Sequence, residues 1–183
     1  IKFIIYIIMT FLNKLIKSRE IIIEMLNLRG YNFNKYSNVT DVEMDKMLKS
    51  METKLNIETM PLDMIDENNA GKKCLVKYVL TKIRLSNLNS FIIELLDTDI
   101  LNEGDDLIFI IIDKINNLEL FYNLFDKFSN SNNVFIQLFL IDNLQINITK
   151  HVLVPKLKIL DNEEKQMVKD TYNIDKIDDF PLI

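Results

Sequence analysis

Gly104-Asp105-Asp106-Leu107-Ile108-Phe109-Ile110-Ile111-Ile112 is the stretch that decides the fold. A turn opens directly into six apolar residues with no polar one among them. A strand with one wet face alternates apolar and polar positions. A continuous apolar run of this length is typical of a central strand covered on both faces. The sequence on either side repeats that theme. Upstream, Cys74, Val76, Tyr78 and Leu80 alternate with Leu75 and Val79, which predicts a second strand that is apolar on most of both faces, and a helix fits Asn87–Leu96. Downstream, the pattern predicts a helix over about Asn117–Phe128, a polar loop over Ser129–Asn133 and another buried strand over Val134–Ile141. Strands alternating with helical stretches of this length argue for a layered α/β domain with a mixed sheet flanked by helices.

Ahead of that core, Thr10 is positioned to cap a helix over about Phe11–Arg29, with Leu12, Leu15, Ile16, Ile22, Ile23 and Leu26 on one broad face. Gly30 sits where a left-handed cap belongs. Thr40-Asp41-Val42-Glu43 fits a capping box and opens a helix through about Lys54, with Met44, Met47, Leu48 and Met51 as a core-facing stripe. Met60–Ile65 is a short strand, and Asn68-Asn69-Ala70-Gly71 a turn. Neither an internal repeat nor a low-complexity segment is present. The pattern stops near Asn143, which divides the chain into 9–143 and 144–183.

Length and composition bound the function. The 183 residues suffice for one ordinary domain, or one domain plus part of a second. A chain 48% hydrophobic and 27% charged is neither a disordered tail nor a multi-span membrane protein. A net charge of −5 argues against a free-standing protein that holds nucleic acid by bulk charge. The single cysteine, Cys74, excludes an internal disulfide and suggests a reducing compartment. With His151 as the one histidine, every histidine-based site must pass through it. The 28 Ile and 21 Asn against one Ala are what an AT-rich genome favours, so isolated Asn and Lys are poor functional signals.

The chain opens Ile1-Lys2-Phe3-Ile4-Ile5-Tyr6-Ile7-Ile8 before Met9. An apolar run of this size is shorter than the ~20 residues that span a bilayer, and no small-residue cleavage site follows it. Met9 is therefore read as the start, with residues 1–8 an upstream extension, and no membrane is expected as a partner.

Little catalytic chemistry is visible. Gly30, Gly71 and Gly104 each stand alone, so no phosphate loop exists. Cys74 and His151 lie in different regions, and no metal or other cofactor is expected. Metal-dependent nucleases of this fold class set an acid and an acid-x-Lys pair on adjacent strands. The best match, Glu52-Thr53-Lys54, falls at the end of a helix, and Asp113-Lys114 has the wrong spacing. Asp105-Asp106 reads as a solvated turn, and Cys74 as a small core residue.

The most specific signal follows Asn143: Gln145-Ile146-Asn147-Ile148-Thr149-Lys150-His151-Val152-Leu153-Val154-Pro155-Lys156, then Leu160-Asp161-Asn162-Glu163-Glu164, then Tyr172. In physical terms this is an extended segment ended by Pro155, then a helix capped by Asp161, with Glu164 closing a capping box and two acids at the positive end of the dipole. The order of residues resembles the fifth subunit shared by the eukaryotic nuclear RNA polymerases, a family with a shorter archaeal counterpart. Ile146-Asn147-Ile148-Thr149, His151, Leu153, Val154, Pro155, Glu163, Glu164 and Tyr172 carry the resemblance. Leu157 stands where that family usually has a second histidine, and Asp161 replaces a hydroxyl cap. Arg19, with Met25-Leu26-Asn27-Leu28-Arg29-Gly30-Tyr31, is similar to the family's first helix and its closing R-G-Y turn.

The resemblance implies a non-catalytic, two-part subunit of a DNA-dependent RNA polymerase. Residues 9–143 would be a jaw domain, nuclease-like in fold but without the active site, lying near downstream double-stranded DNA with weak contact inside the assembly. Residues 144–183 would begin a small α+β assembly domain, truncated at its carboxyl end, that docks on the largest polymerase subunit beside the other subunits. His151, Leu153, Val154, Pro155, Glu163, Glu164 and Tyr172 would serve docking, and Arg19, Arg29, Gly30 and Tyr31 the jaw motif. A nuclear location follows for a eukaryote, and a virion or cytoplasmic viral factory for a large DNA virus. The alternative is a nuclease-like α/β enzyme, active or degenerate, for which strand-borne carboxylates converging with a lysine would speak.

Overall fold

The structure is a computed structural model that describes residues 2–50, 55, 61–68, 70–150 and 162–172, the side chains of 2–9, 149 and 162 excepted. The chain divides into one compact unit ending at Asn147 and a second beginning at Ile148.

In the first unit the order is α1 (Lys2–Leu28), a 3-10 turn (Phe33–Tyr36), α2 (Asp41–Ser50), β1 (Met64–Glu67), β2 (Lys73–Val79), α3 (Leu85–Asp97), β3 (Asp106–Ile111), α4 (Leu118–Asn132), β4 (Phe135–Leu140) and a 3-10 turn (Ile141–Gln145). The four strands form one mixed sheet in the order β1-β2-β3-β4. β1 runs antiparallel to β2, while β2, β3 and β4 are parallel. The fold is α/β, as the apolar run at 107–112 predicts.

Alternation along β3 explains the layers. Ile108 and Ile110 pack with Leu15, Ile22 and Leu26 of α1, whereas Leu107, Phe109 and Ile111 pack with Leu88, Ile92 and Leu95 of α3 and Phe121, Phe125 and Phe128 of α4. All six residues of β3 are buried. Cys74 and Val76 of β2 join the first core, Leu75 and Val79 the second.

Several boundaries differ from the expectations. α1 begins at Lys2, so Thr10 lies inside the helix rather than capping it; the run before it holds no glycine or proline to stop the helix. α4 continues through the expected polar loop to Asn132 and ends on Asn133 in the left-handed conformation at φ 52°. Asparagine tolerates that conformation, so the stop lies four residues later than composition suggests. The strand expected over 60–65 is β1, centred later, with Met60 outside the described residues. At α2 the capping box forms: the Glu43 amide donates to Thr40 Oγ1 at 3.3 Å, and the Thr40 amide donates to the Glu43 carboxylate at 2.9 Å. Those bonds hold the Glu43 carboxyl below its usual range. Of the segment expected to be extended from Gln145 onward, Ile148–Lys150 is a short 3-10 turn, and another such turn, Ile141–Gln145, ends on its first residue. Gln145 Nε2 donates back to the Ile141 carbonyl at 2.8 Å and to the Lys14 carbonyl at 3.2 Å, which folds this stretch onto α1.

In the second unit, α5 (Asn162–Tyr172) is the described α-helix. Among the described residues no helix is long and apolar enough to cross a membrane.

Candidate functional site

The R-G-Y turn is built from the end of α1. Gly30 adopts φ +90°, a region closed to most side chains. There its amide donates to the Asn27 carbonyl at 3.1 Å and the Tyr31 amide to the Leu26 carbonyl at 3.2 Å, the paired closure of a helix end in a left-handed residue. Tyr31 then buries its ring in the core that holds Leu26. Its hydroxyl donates to Asp106 Oδ2 at 2.9 Å, at the first residue of β3. Burial, and next the bond to Asp106, push the Tyr31 phenol well above its ordinary pKa. Arg29 lies on the surface and donates to Gln137 Oε1 of β4 at 2.6 Å. The three adjacent residues therefore tie the end of α1 to the β3 and β4 strands.

Asp105 and Asp106 are not a solvated turn, since they are 3% and 5% exposed. Asp105 accepts the amides of Lys73 and Asn102, each at 2.8 Å, pinning the start of β2 to the turn before β3. Lys72 Nζ stands 2.7 Å from Asp106 Oδ1, an ion pair whose geometry leaves that oxygen without a well-aligned hydrogen bond. Both aspartates are bound up in backbone and side-chain contacts that organise the amino-terminal edge of the parallel strands.

Arg19 does not join the R-G-Y cluster. It sits in mid-α1, nearly fully buried, and donates through Nη1 to the Leu62 carbonyl at 2.7 Å and through Nε to the Tyr36 carbonyl at 3.3 Å. Its guanidinium lies 5.6 Å from the Tyr36 ring centre. The Tyr36 hydroxyl donates to the Ile65 carbonyl at 2.8 Å and accepts the Ile65 amide at 3.0 Å. One phenol thereby satisfies both outward backbone groups of a residue on the edge strand β1, which blunts that edge.

A charged pair in the sheet escaped the sequence reading. Lys77, in the middle of β2, reaches Asp63 Oδ2 at 2.5 Å, with side chains 2% and 0% exposed. Asp63 Oδ1 also accepts the Tyr78 amide at 3.0 Å. A lysine interrupting the apolar run Cys74–Leu80 was the available signal, because a buried lysine requires a partner. The pair bears on the enzymatic alternative. An acid-x-Lys pair ending at Lys77 would need its acid at position 75, and Leu75 stands there, buried in the second core. Glu52-Thr53-Lys54 lies outside the described residues. No group of three potential metal ligands exists among the described residues.

In the second unit, Glu163 and Glu164 occupy the first turn of α5, where the helix dipole favours acids, and Tyr172 ends it at 72% exposure. His151, Leu153, Val154 and Pro155 lie outside the described residues.

No curated protein matches the chain. Residues 146–183 match the family model described as RNA polymerase Rpb5, C-terminal domain. The match starts at Ile146, the first residue of the Ile-Asn-Ile-Thr stretch, and covers Glu163, Glu164 and Tyr172. The segment that follows the α/β unit is thus similar to the Rpb5 C-terminal domain of RNA polymerase.

Proposed function

We propose that this chain works without catalysing nucleotide transfer, as the jaw and docking piece of a DNA-dependent RNA polymerase. Residues 9–143 form the jaw beside downstream double-stranded DNA, and residues 144–183 carry the assembly segment that docks on the largest subunit. The observation that supports this reading is the Rpb5 C-terminal match directly behind an α/β unit. Docking runs through His151, Leu153, Val154 and Pro155, with Glu163, Glu164 and Tyr172 on the helix that follows. Contact with DNA is weak and depends on the assembly, since the net charge is −5. Such a subunit acts in the nucleus of a eukaryote or in the factory or virion of a large DNA virus.

The test is recovery of the largest polymerase subunit with tagged chain, wild type against Leu153→Asp/Val154→Asp. The double variant should lose the partner while the α/β unit keeps its unfolding transition. Equal recovery with both chains would overturn the docking assignment. The purified chain with magnesium or manganese should leave DNA and RNA intact. Cleavage abolished by Asp106→Asn or Asp113→Asn would replace the subunit reading with an enzyme.

A further inference from the structure

Arg19 poses an electrostatic problem that the fold leaves open. The side chain is 4% exposed, yet among the described residues its guanidinium meets backbone carbonyls and an aromatic ring and no carboxylate. Asp63, the acid whose field it feels, is committed to Lys77. Burial holds the Arg19 pKa below its ordinary value, the signature of a cation short of compensation. Buried charges in proteins are normally paired, because removing an ion from water costs several kcal/mol. Nη2 makes no hydrogen bond among the described residues.

Beside Arg19 lies a cavity of about 210 Å³. Ile16, Ile23, Val39 and Met44 supply apolar walls, and Ser37 and Asn38 form the polar rim. Asn38 holds φ +62°, so the rim backbone turns sharply there. Glu20 also lines the cavity, but its carboxylate is drawn to Lys17 at 3.1 Å on the exposed side. Asp41 and Glu43 begin α2 next to the rim. Glu20 on the lining and the two acids in the first turn of α2 disfavour a polyanion such as a nucleic-acid backbone. A single carboxylate on an apolar stem can pass that rim and reach the guanidinium, where a bidentate pair is strongest.

We propose that this cavity, framed by α1, the Phe33–Tyr36 turn and α2, is a binding site for one acidic side chain of a partner protein, Glu or Asp, whose apolar neighbour lies on the Ile16, Ile23, Val39 and Met44 walls. Arg19 supplies the charge, and the walls supply specificity over free anions. The proposal does not rest on the docking reading of residues 144–183, and survives or fails independently of it.

The experiment uses the whole 183-residue chain, labelled with nitrogen-15, and the probe acetyl-Leu-Glu-amide. The probe should shift the Arg19 Nε–H resonance and the amides of Ser37, Asn38 and Val39 saturably, while acetyl-Leu-Gln-amide leaves them in place. Ser37→Glu, on the exposed rim, brings an internal carboxylate to Arg19; it should abolish the probe's shifts and raise the unfolding temperature. Ser37→Gln should retain binding. Equal shifts with both peptides, no shift with either, or undiminished binding in Ser37→Glu would overturn the proposal. So would inorganic phosphate moving the same resonances when the Glu peptide does not, since the site would then be a general anion hole.

Discussion

The Tyr31 hydroxyl donates to Asp106 Oδ2 at 2.9 Å, across 75 positions of sequence, and so joins the end of α1 to the start of β3. Asp106 is buried and its other oxygen faces Lys72 without a well-aligned hydrogen bond. Removing the phenol therefore leaves a buried carboxylate short of a donor. Tyr31→Phe should cost about 1–3 kcal/mol of stability, the range for orphaning a buried polar group, as measured by urea unfolding. An unchanged midpoint would show that Lys72 alone satisfies Asp106.

The same phenol sets the behaviour in alkali. Burial is the first cause that raises both Tyr31 and Tyr78, Tyr78 from 10.0 to about 12. The folded chain holds these protons more tightly than the unfolded chain does. Their contribution is thus complete below about pH 10, the unfolded value. It is lost as pH climbs through the folded values. Stability measured from pH 9 to 12 should fall, and Tyr31→Phe should fall less steeply than the wild type. A parallel pair of profiles would assign the loss to other groups.

Gly30 tests the turn itself. A Cβ there would meet nothing within 4 Å, so the whole cost of Gly30→Ala is conformational. At φ +90° that cost should be about 1–2 kcal/mol, with the native contacts kept. A larger loss accompanied by altered near-ultraviolet dichroism would mean that the closure onto Tyr31 had come apart.

These residues also show what was legible beforehand. The strands β2, β3 and β4 and the Thr40–Glu43 capping box were readable because periodicity and capping are local signals. The turn at Gly30 was readable for the same reason. The burial of Asp105 and Asp106 was not, because two adjacent acids in a turn look solvated until Lys73, Asn102, Tyr31 and Lys72 converge on them. Arg19 was singled out by resemblance alone. Its lodging against Tyr36 and Leu62 depends on packing across 17 and 43 positions, which no window of sequence contains. The pairing of Lys77 with Asp63 failed for a related reason. The lysine announced a need for a partner, but the partner precedes a different strand.

That pair should behave as a buried ion pair. Lys77→Met takes the ammonium away from a carboxylate at 0% exposure and should destabilise by about 3–5 kcal/mol. Adding Asp63→Asn removes the charge and keeps an oxygen for the Tyr78 amide. The double variant should recover most of the loss in the same urea titration, giving strong coupling between the two sites. Additive losses would show that Lys77 and Asp63 act through separate neighbours.

Cys74 offers a reading of how the unit opens. It lies on β2 at 0% exposure, paired across the sheet with Asp106 and packed with Tyr31 in the first core. Burial, then the field of Asp106, pushes the thiol from 9.0 up to about 12. The thiolate is the reacting species, so at pH 8 the folded chain presents neither access nor a nucleophile. An aromatic disulfide reagent should therefore label Cys74 only through unfolding. The slowing relative to chain in concentrated urea should equal the unfolding equilibrium constant when opening is fast. Tyr31→Phe should accelerate labelling by the factor that its loss of stability dictates, because the bond it removes locks the adjoining strand at Asp106. Labelling at the unfolded rate without urea would place Cys74 at a local opening between α1 and the sheet.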